Sequence, residues 1–103
     1  MGYKMKSKLN KDKIIEKIEK NKKDIQKYQV KKIGVFGSFI KKNQGSNSDV
    51  DILVVFGKVD FEKYTGLKFM LEKMFKRKVD LVIEEDLRPE LNYIKKEVQY
   101  AKI

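Results

Sequence analysis

No cysteine and no histidine occur anywhere in the chain. The first absence excludes disulfides and thiolate metal sites; the second removes the side chain that most often serves as a general base near neutral pH. Tryptophan is missing, proline occurs once (Pro89), and arginine is scarce, since only Arg77 and Arg88 stand among 25 basic residues. Long apolar runs are lacking too. The longest, residues 52–56, is far shorter than the roughly 20 residues a membrane span needs. No basic start leads into an apolar core at the N-terminus, so neither a secretory signal nor a membrane association is expected, and the cytoplasm is the simplest compartment. Acid–base or metal chemistry here must run on carboxylates, hydroxyls and lysines.

What the chain does have is lysine and aliphatic residues. Its 103 residues are 41% hydrophobic, enough for one core and one domain spanning 1–103, with residues 1–8 read as a flexible, basic, non-periodic tail. The net charge of +10 suggests nucleic acid until it is divided along the chain. Residues 1–32 carry 12 lysines against 4 carboxylates, a net +8, while residues 33–103 carry 13 basic against 11 acidic groups, a net +2. The excess therefore lies on the first segment and is mostly lysine, without the arginine forks and interleaved aromatics that base recognition favours. A solvated lysine/glutamate helix explains it better than a nucleic-acid surface, which is possible but not favoured.

Periodicity gives the order of elements. Asn10 can cap a helix over residues 11–28, with Leu9 and Ile14 as a hydrophobic staple and Ile14, Ile18 and Ile25 as its buried stripe. Residues 32–37 read as a first strand, with Ile33 and Val35 on one face and Gly34 and Phe36 on the other. Ser38 to Lys42 reads as a short helix, 43–48 as a loop, and 49–56 as a strand apolar enough to be buried on both faces. Asp60 caps a helix to about Phe75 on which Tyr64, Leu67, Leu71 and Met74 recur. A third strand covers 78–83, an acidic turn 84–86, and a last helix starts near Pro89 with Leu91, Ile94, Val98 and Ala101 along one side. The connection between the first two strands is short for a parallel crossover. The expected class is α+β, a small mixed or antiparallel three-stranded sheet packed with helices.

Two carboxylates stand out in this frame. Asp49 and Asp51, one residue apart at a strand start, point to the same face and repel, so a divalent cation is the usual remedy. An EF-hand is excluded because Leu53 stands where a third ligand would be needed. Asp80 interrupts the apolar run 79–83, where an unpaired buried carboxylate would be costly. If its strand lies beside that of Asp51, three carboxylates converge on one face, an arrangement that suits phosphoryl or nucleotidyl transfer. The plainer alternative is that Asp49 caps a strand edge while Asp51 and Asp80 pair with lysines. Gly37-Ser38, at the end of the first strand, adds a turn whose backbone can approach phosphate oxygens closely.

Gly37-Ser38, the run 48–54 (Ser-Asp-Val-Asp-Ile-Leu-Val) and the run 78–82 (Lys-Val-Asp-Leu-Val) together resemble the DNA polymerase β-type nucleotidyltransferase superfamily. The small size resembles its minimal, MntA-like members, which are usually paired as antitoxins with a HEPN-domain protein. The resemblance implies a nucleotidyltransferase-like fold and an Mg2+-dependent enzyme, with a two-ion site, that transfers AMP from ATP to a tyrosine hydroxyl of a HEPN-type toxin. It implies Asp49, Asp51 and Asp80 as metal ligands and catalytic residues, with Asp80 helping to deprotonate the acceptor. Gly37 and Ser38 would hold the triphosphate. The family's Ala-Arg-Gly after the aromatic is here Ile40-Lys41-Lys42, so Lys41 would supply phosphate charge as a point rather than a fork. The alternative from another class is a catalytically silent module that neutralises its partner by contact.

Overall fold

The structure is a computed structural model, which describes residues 9–41 and 49–103. The segments 1–8 and 42–48 lie outside the described residues, and with them the expected tail, the end of the short helix, the loop and Ser48. The elements run α1 (Lys11–Lys20), α2 (Lys22–Gln26), β1 (Val30–Phe36), α3 (Ser38–Lys41), β2 (Val50–Phe56), α4 (Phe61–Phe75) and β3 (Val79–Ile83). They continue through two 3-10 turns (Glu84–Asp86 and Pro89–Leu91), α5 (Tyr93–Glu97) and β4 (Gln99–Tyr100). The sheet order is β3-β2-β1-β4. β1 runs antiparallel to β2 and to β4, and β2 runs parallel to β3. The α+β class with a mixed sheet is as expected, with a fourth short strand added.

One face of the sheet carries the main core. Ile14 and Ile18 of α1, Ile25 of α2, and Leu67, Leu71 and Phe75 of α4 pack there against Ile33, Val35, Val50, Ile52, Val54, Val79 and Leu81. The opposite face holds a smaller cluster of Phe36, Leu53 and Ile94, flanked by Val82, Leu87 and Val98. β2 is therefore apolar on both faces because it is central and covered on both. Its one break in that pattern, Asp51, is half-buried.

The first and last helices differ from the expected elements, while α4 ends at Phe75 as expected. The first helix is broken at Asn21, whose side-chain amide donates to the Lys17 carbonyl at 2.8 Å, a local bond that competes with regular helix. α4 ends with Lys76 at φ 56, ψ 41, the left-handed position where glycine is usual and an L-residue is strained. The last helix is only Tyr93–Glu97; Val98 is extended, and the chain then pairs with β1 through Gly34–Tyr100 and Val35–Gln99. Gly34 makes this approach possible, because a Cβ there would lie 2.7 Å from both the Gln99 carbonyl oxygen and Val98 Cγ2.

Candidate active site

The candidate residues meet where the ends of β1, β2 and β3 lie side by side. Phe36, the last residue of β1, is the register partner of Asp51, and Asp51 is the partner of Asp80 on β3. Register partners in adjacent strands share a face, so Phe36, Asp51 and Asp80 form a row across the sheet on the side away from α1 and α4. Asp51 sits in the middle of that row. Asp49 precedes β2 and is exposed.

The Gly37-Ser38 turn closes over Asp51 from the β1 side. Gly37 has φ +77, and a Cβ on it would collide with Asp51 Oδ2. Its carbonyl accepts from Ile40 N at 3.0 Å and Lys41 N at 3.1 Å, which starts α3 at once. The Ser38 backbone N–H donates to the Asp51 carboxylate. Glycine is thus required here twice over, by conformation and by the carboxylate that fills the space beside it.

Asp51 is also held in an uncomfortable charge state. Burial pushes its carboxyl above the usual range, the negative charges of Asp80 and Asp49 push it further, and the Ser38 N–H only partly offsets them. A half-buried carboxylate facing two others is stabilised by a cation. The all-oxygen donor set suits a hard ion such as Mg2+, so the residues fit that group in kind. Among the described residues no three acidic side chains lie close enough to form a ready-made cage, so the row gathers charge without wrapping an ion by itself.

Asp80 differs from expectation in its surroundings. It is exposed, because β3 is an edge strand and it is Val79, Leu81 and Ile83 that turn into the main core. Burial is therefore not what marks this residue; its register beside Asp51 is. α4 fixes the strand on both sides of it. Glu72 Oε2 accepts from Val79 N at 3.0 Å, and the Tyr64 hydroxyl donates to the Leu81 carbonyl. Neither tether was singled out from sequence as part of the site, although Glu72, a carboxylate just ahead of the strand, was the available signal.

Lys41 is the least committed of the predicted residues. It is on α3 near the turn, but its ammonium lies 3.7 Å from Glu97 and both groups are partly exposed. Such a pair is worth about 0–1 kcal/mol, so a phosphate group could take the lysine over. Arg77, which precedes β3, stacks over the Phe39 ring at 5.5 Å, and so brings the chain's rare guanidinium against α3 itself.

A strand-end glycine turn lies beside two carboxylates on adjacent strands, Asp51 and Asp80, the first of them cation-hungry, which is an arrangement that can hold a metal-bound phosphate. The comparisons agree. Residues 11–103 match the nucleotidyltransferase domain family. A Methanocaldococcus jannaschii protein, provisionally named a protein adenylyltransferase, is 39% identical over 84 residues, covering 80% of this chain and 84% of its own. A solved structure of a provisionally named minimal nucleotidyltransferase superposes with TM-score 0.76 at 25% identity, covering 91% of this chain and 98% of the other. Another, a toxin–antitoxin with AMP-PNP, gives TM-score 0.64 at 26% identity over 89% and 72% of the two chains. The chain belongs to the nucleotidyltransferase domain family.

Proposed function

We propose that the chain transfers AMP from ATP to a tyrosine hydroxyl of a HEPN-type partner toxin and so acts as its antitoxin. The single observation that carries this reading is Asp51, pressed between the Gly37-Ser38 turn and Asp80. The adenylyltransferase name of a similar protein and the AMP-PNP of a similar toxin–antitoxin structure support the nucleotide and the kind of partner.

In this reading Gly37 and Ser38 hold the triphosphate by close backbone approach, and Lys41 leaves Glu97 to add charge beside it. Asp49, Asp51 and Asp80 would hold Mg2+, which when bound supplies the positive charge that steadies the α-phosphate and the departing pyrophosphate. Asp80, exposed on the edge strand, accepts the proton of the incoming hydroxyl. Tyr64 and Glu72 keep its strand in place.

The test is to incubate the protein with labelled ATP, Mg2+ and a HEPN-type partner protein. Label should reach a partner tyrosine, and Asp49→Asn, Asp51→Asn and Asp80→Asn should each abolish transfer while keeping the melting transition. No transfer with any divalent ion, together with no nucleotide binding by either chain, would sink the reading. A second reading, neutralisation by contact alone, is favoured by Lys41 being engaged by Glu97. It wins if Asp51→Asn neutralises the partner as well as the parent does.

A further inference from the structure

We propose that a groove along the outer edge of β3 docks the acceptor: an extended apolar segment of the partner protein with a basic side chain, which presents its hydroxyl to Asp80. This rests on the transfer reading above.

The argument starts from the chemistry of the step. The acceptor oxygen bonds to the α-phosphorus as the bridging P–O bond to the β-phosphate breaks. Pyrophosphate leaves with that electron pair, and the hydroxyl proton passes to a carboxylate. In an in-line displacement the attacking and leaving oxygens lie on opposite sides of phosphorus. The triphosphate grip is over the end of β1, at Gly37 and Ser38, so pyrophosphate departs toward β1. The acceptor must then arrive across Asp51 from the opposite side. With strand order β3-β2-β1-β4, that side is β3, and beyond β3 there is no further strand among the described residues.

A groove lies there. A cavity of about 480 Å3 runs between the start of α4 and the second half of β3, lined by Val59, Phe61, Tyr64, Leu81, Ile83 and Asp86 among others. Phe61 is 82% exposed and Val59 47%, apolar groups at its mouth that the described residues leave uncovered. The strand that carries Asp80 also forms the groove floor: Leu81 and Ile83 turn toward α4 and Asp80 to the other face, so a segment following the outer edge of the strand would pass both. From Asp80 to Ile83 is three residues, about 10 Å of strand. An extended segment lying along this edge would place its hydroxyl at Asp80 and an apolar anchor about two or three residues away in the groove.

Charge selects among such segments. Asp86 lines the groove, and burial, then the charges of Asp80 and Asp86, push the Tyr64 phenol upward. The other acid at its rim, Asp60, is already paired with Lys63 at 3.0 Å. Asp86 thus complements a basic side chain on the incoming segment, in a chain whose own excess charge is positive.

The variants are Phe61→Ser and Asp86→Lys, both at exposed positions, each checked for a retained melting transition. With the HEPN-type partner and labelled ATP, KM for the partner should rise about tenfold for either variant, while KM for ATP moves less than about twofold. Equal partner KM values for parent and variants would overturn the groove and leave the transfer reading standing. If the parent labels nothing, the transfer reading fails, and a second arm decides the groove. A synthetic peptide with tyrosine, leucine two residues on and a flanking lysine is titrated into 15N-labelled protein. Shifts confined to residues 59–64 and 81–86, lost in Asp86→Lys, uphold it; shifts elsewhere, or none, overturn it.

Discussion

Gly37→Ala should damage function far more than stability, and the structure says by how much. At φ +77 an alanine carries a backbone penalty of about 1–2 kcal/mol. Its Cβ would also overlap Asp51 Oδ2 and stand 3.0 Å from Asp51 Cγ and 3.2 Å from Asp51 Cβ, so the whole carboxylate must turn away. That movement gives up the Ser38 N–H, but it also relieves a charge that burial and two neighbouring carboxylates already disfavour. The two effects oppose, leaving the backbone penalty to set the stability loss at about 1–2 kcal/mol. For a domain of this size that lowers the melting temperature by about 4–16 °C. Transfer should fall by about 100-fold or more, since an ångström of misplacement at a reacting centre costs on that order. Gly37→Asn separates the causes, because asparagine tolerates the left-handed region yet still carries a Cβ. It should regain much of the lost stability and none of the lost activity. Melting curves and label transfer on the three proteins decide it. Full activity in Gly37→Asn would refute the collision, and unchanged melting in Gly37→Ala would refute the strain.

Lys76→Gly probes the same backbone region at the end of α4. Removing about 1–2 kcal/mol of strain against the roughly 0.4–1 kcal/mol that glycine costs through the unfolded state leaves a net gain of about 0–1.6 kcal/mol, read as an equal or higher melting temperature; a lower one contradicts the left-handed cap. Asp51→Asn should stabilise the protein in chelated, neutral, low-salt buffer while abolishing transfer. The Asp51 carboxyl is raised in the folded state, so its ionised form costs stability above that raised value and the cost disappears as pH falls and the group protonates. The variant's advantage should therefore be present at pH 7 and shrink on acidification toward and below the ordinary carboxylate range; an advantage that grows on acidification reverses the sign and rejects the account.

Most of the fold was legible because the sequence alternates cleanly where one face is buried. Ile33 and Val35, Ile52 and Val54, and Val79 and Leu81 all went to the face their spacing assigns them. The Asn10 and Asp60 caps also formed, accepting from Lys13 N at 2.9 Å and Lys63 N at 2.8 Å. The last segment was misread for a reason local patterning cannot supply. Leu91, Ile94, Val98 and Ala101 fit a helical stripe, and Ile94 and Ala101 are indeed buried. Yet β1 had an open edge next to a glycine, and pairing Gln99 and Tyr100 there satisfies backbone groups that a longer helix would have left exposed. The signal was Gly34, far away in sequence.

Asp80 was picked out for a partly mistaken reason. Asp80 drew notice as a charge inside an apolar run, on the premise that the run was buried on both faces. It is not; the strand is an edge and the carboxylate is exposed. What places it in the site is register, Asp80 opposite Asp51 opposite Phe36, and register depends on which strands are neighbours. The exposure has a consequence that burial would have denied. A buried Asp80 could complete a charge cluster but could not meet a hydroxyl arriving on another protein. On an open edge, backed by the Glu72 and Tyr64 tethers and not by desolvation, it keeps an ordinary carboxylate's access to solvent while its strand stays fixed. In the proposed reaction the half-buried Asp51 would serve the phosphate side and the exposed Asp80 would face the acceptor. The asymmetry of their burial is thus the asymmetry the transfer reaction needs.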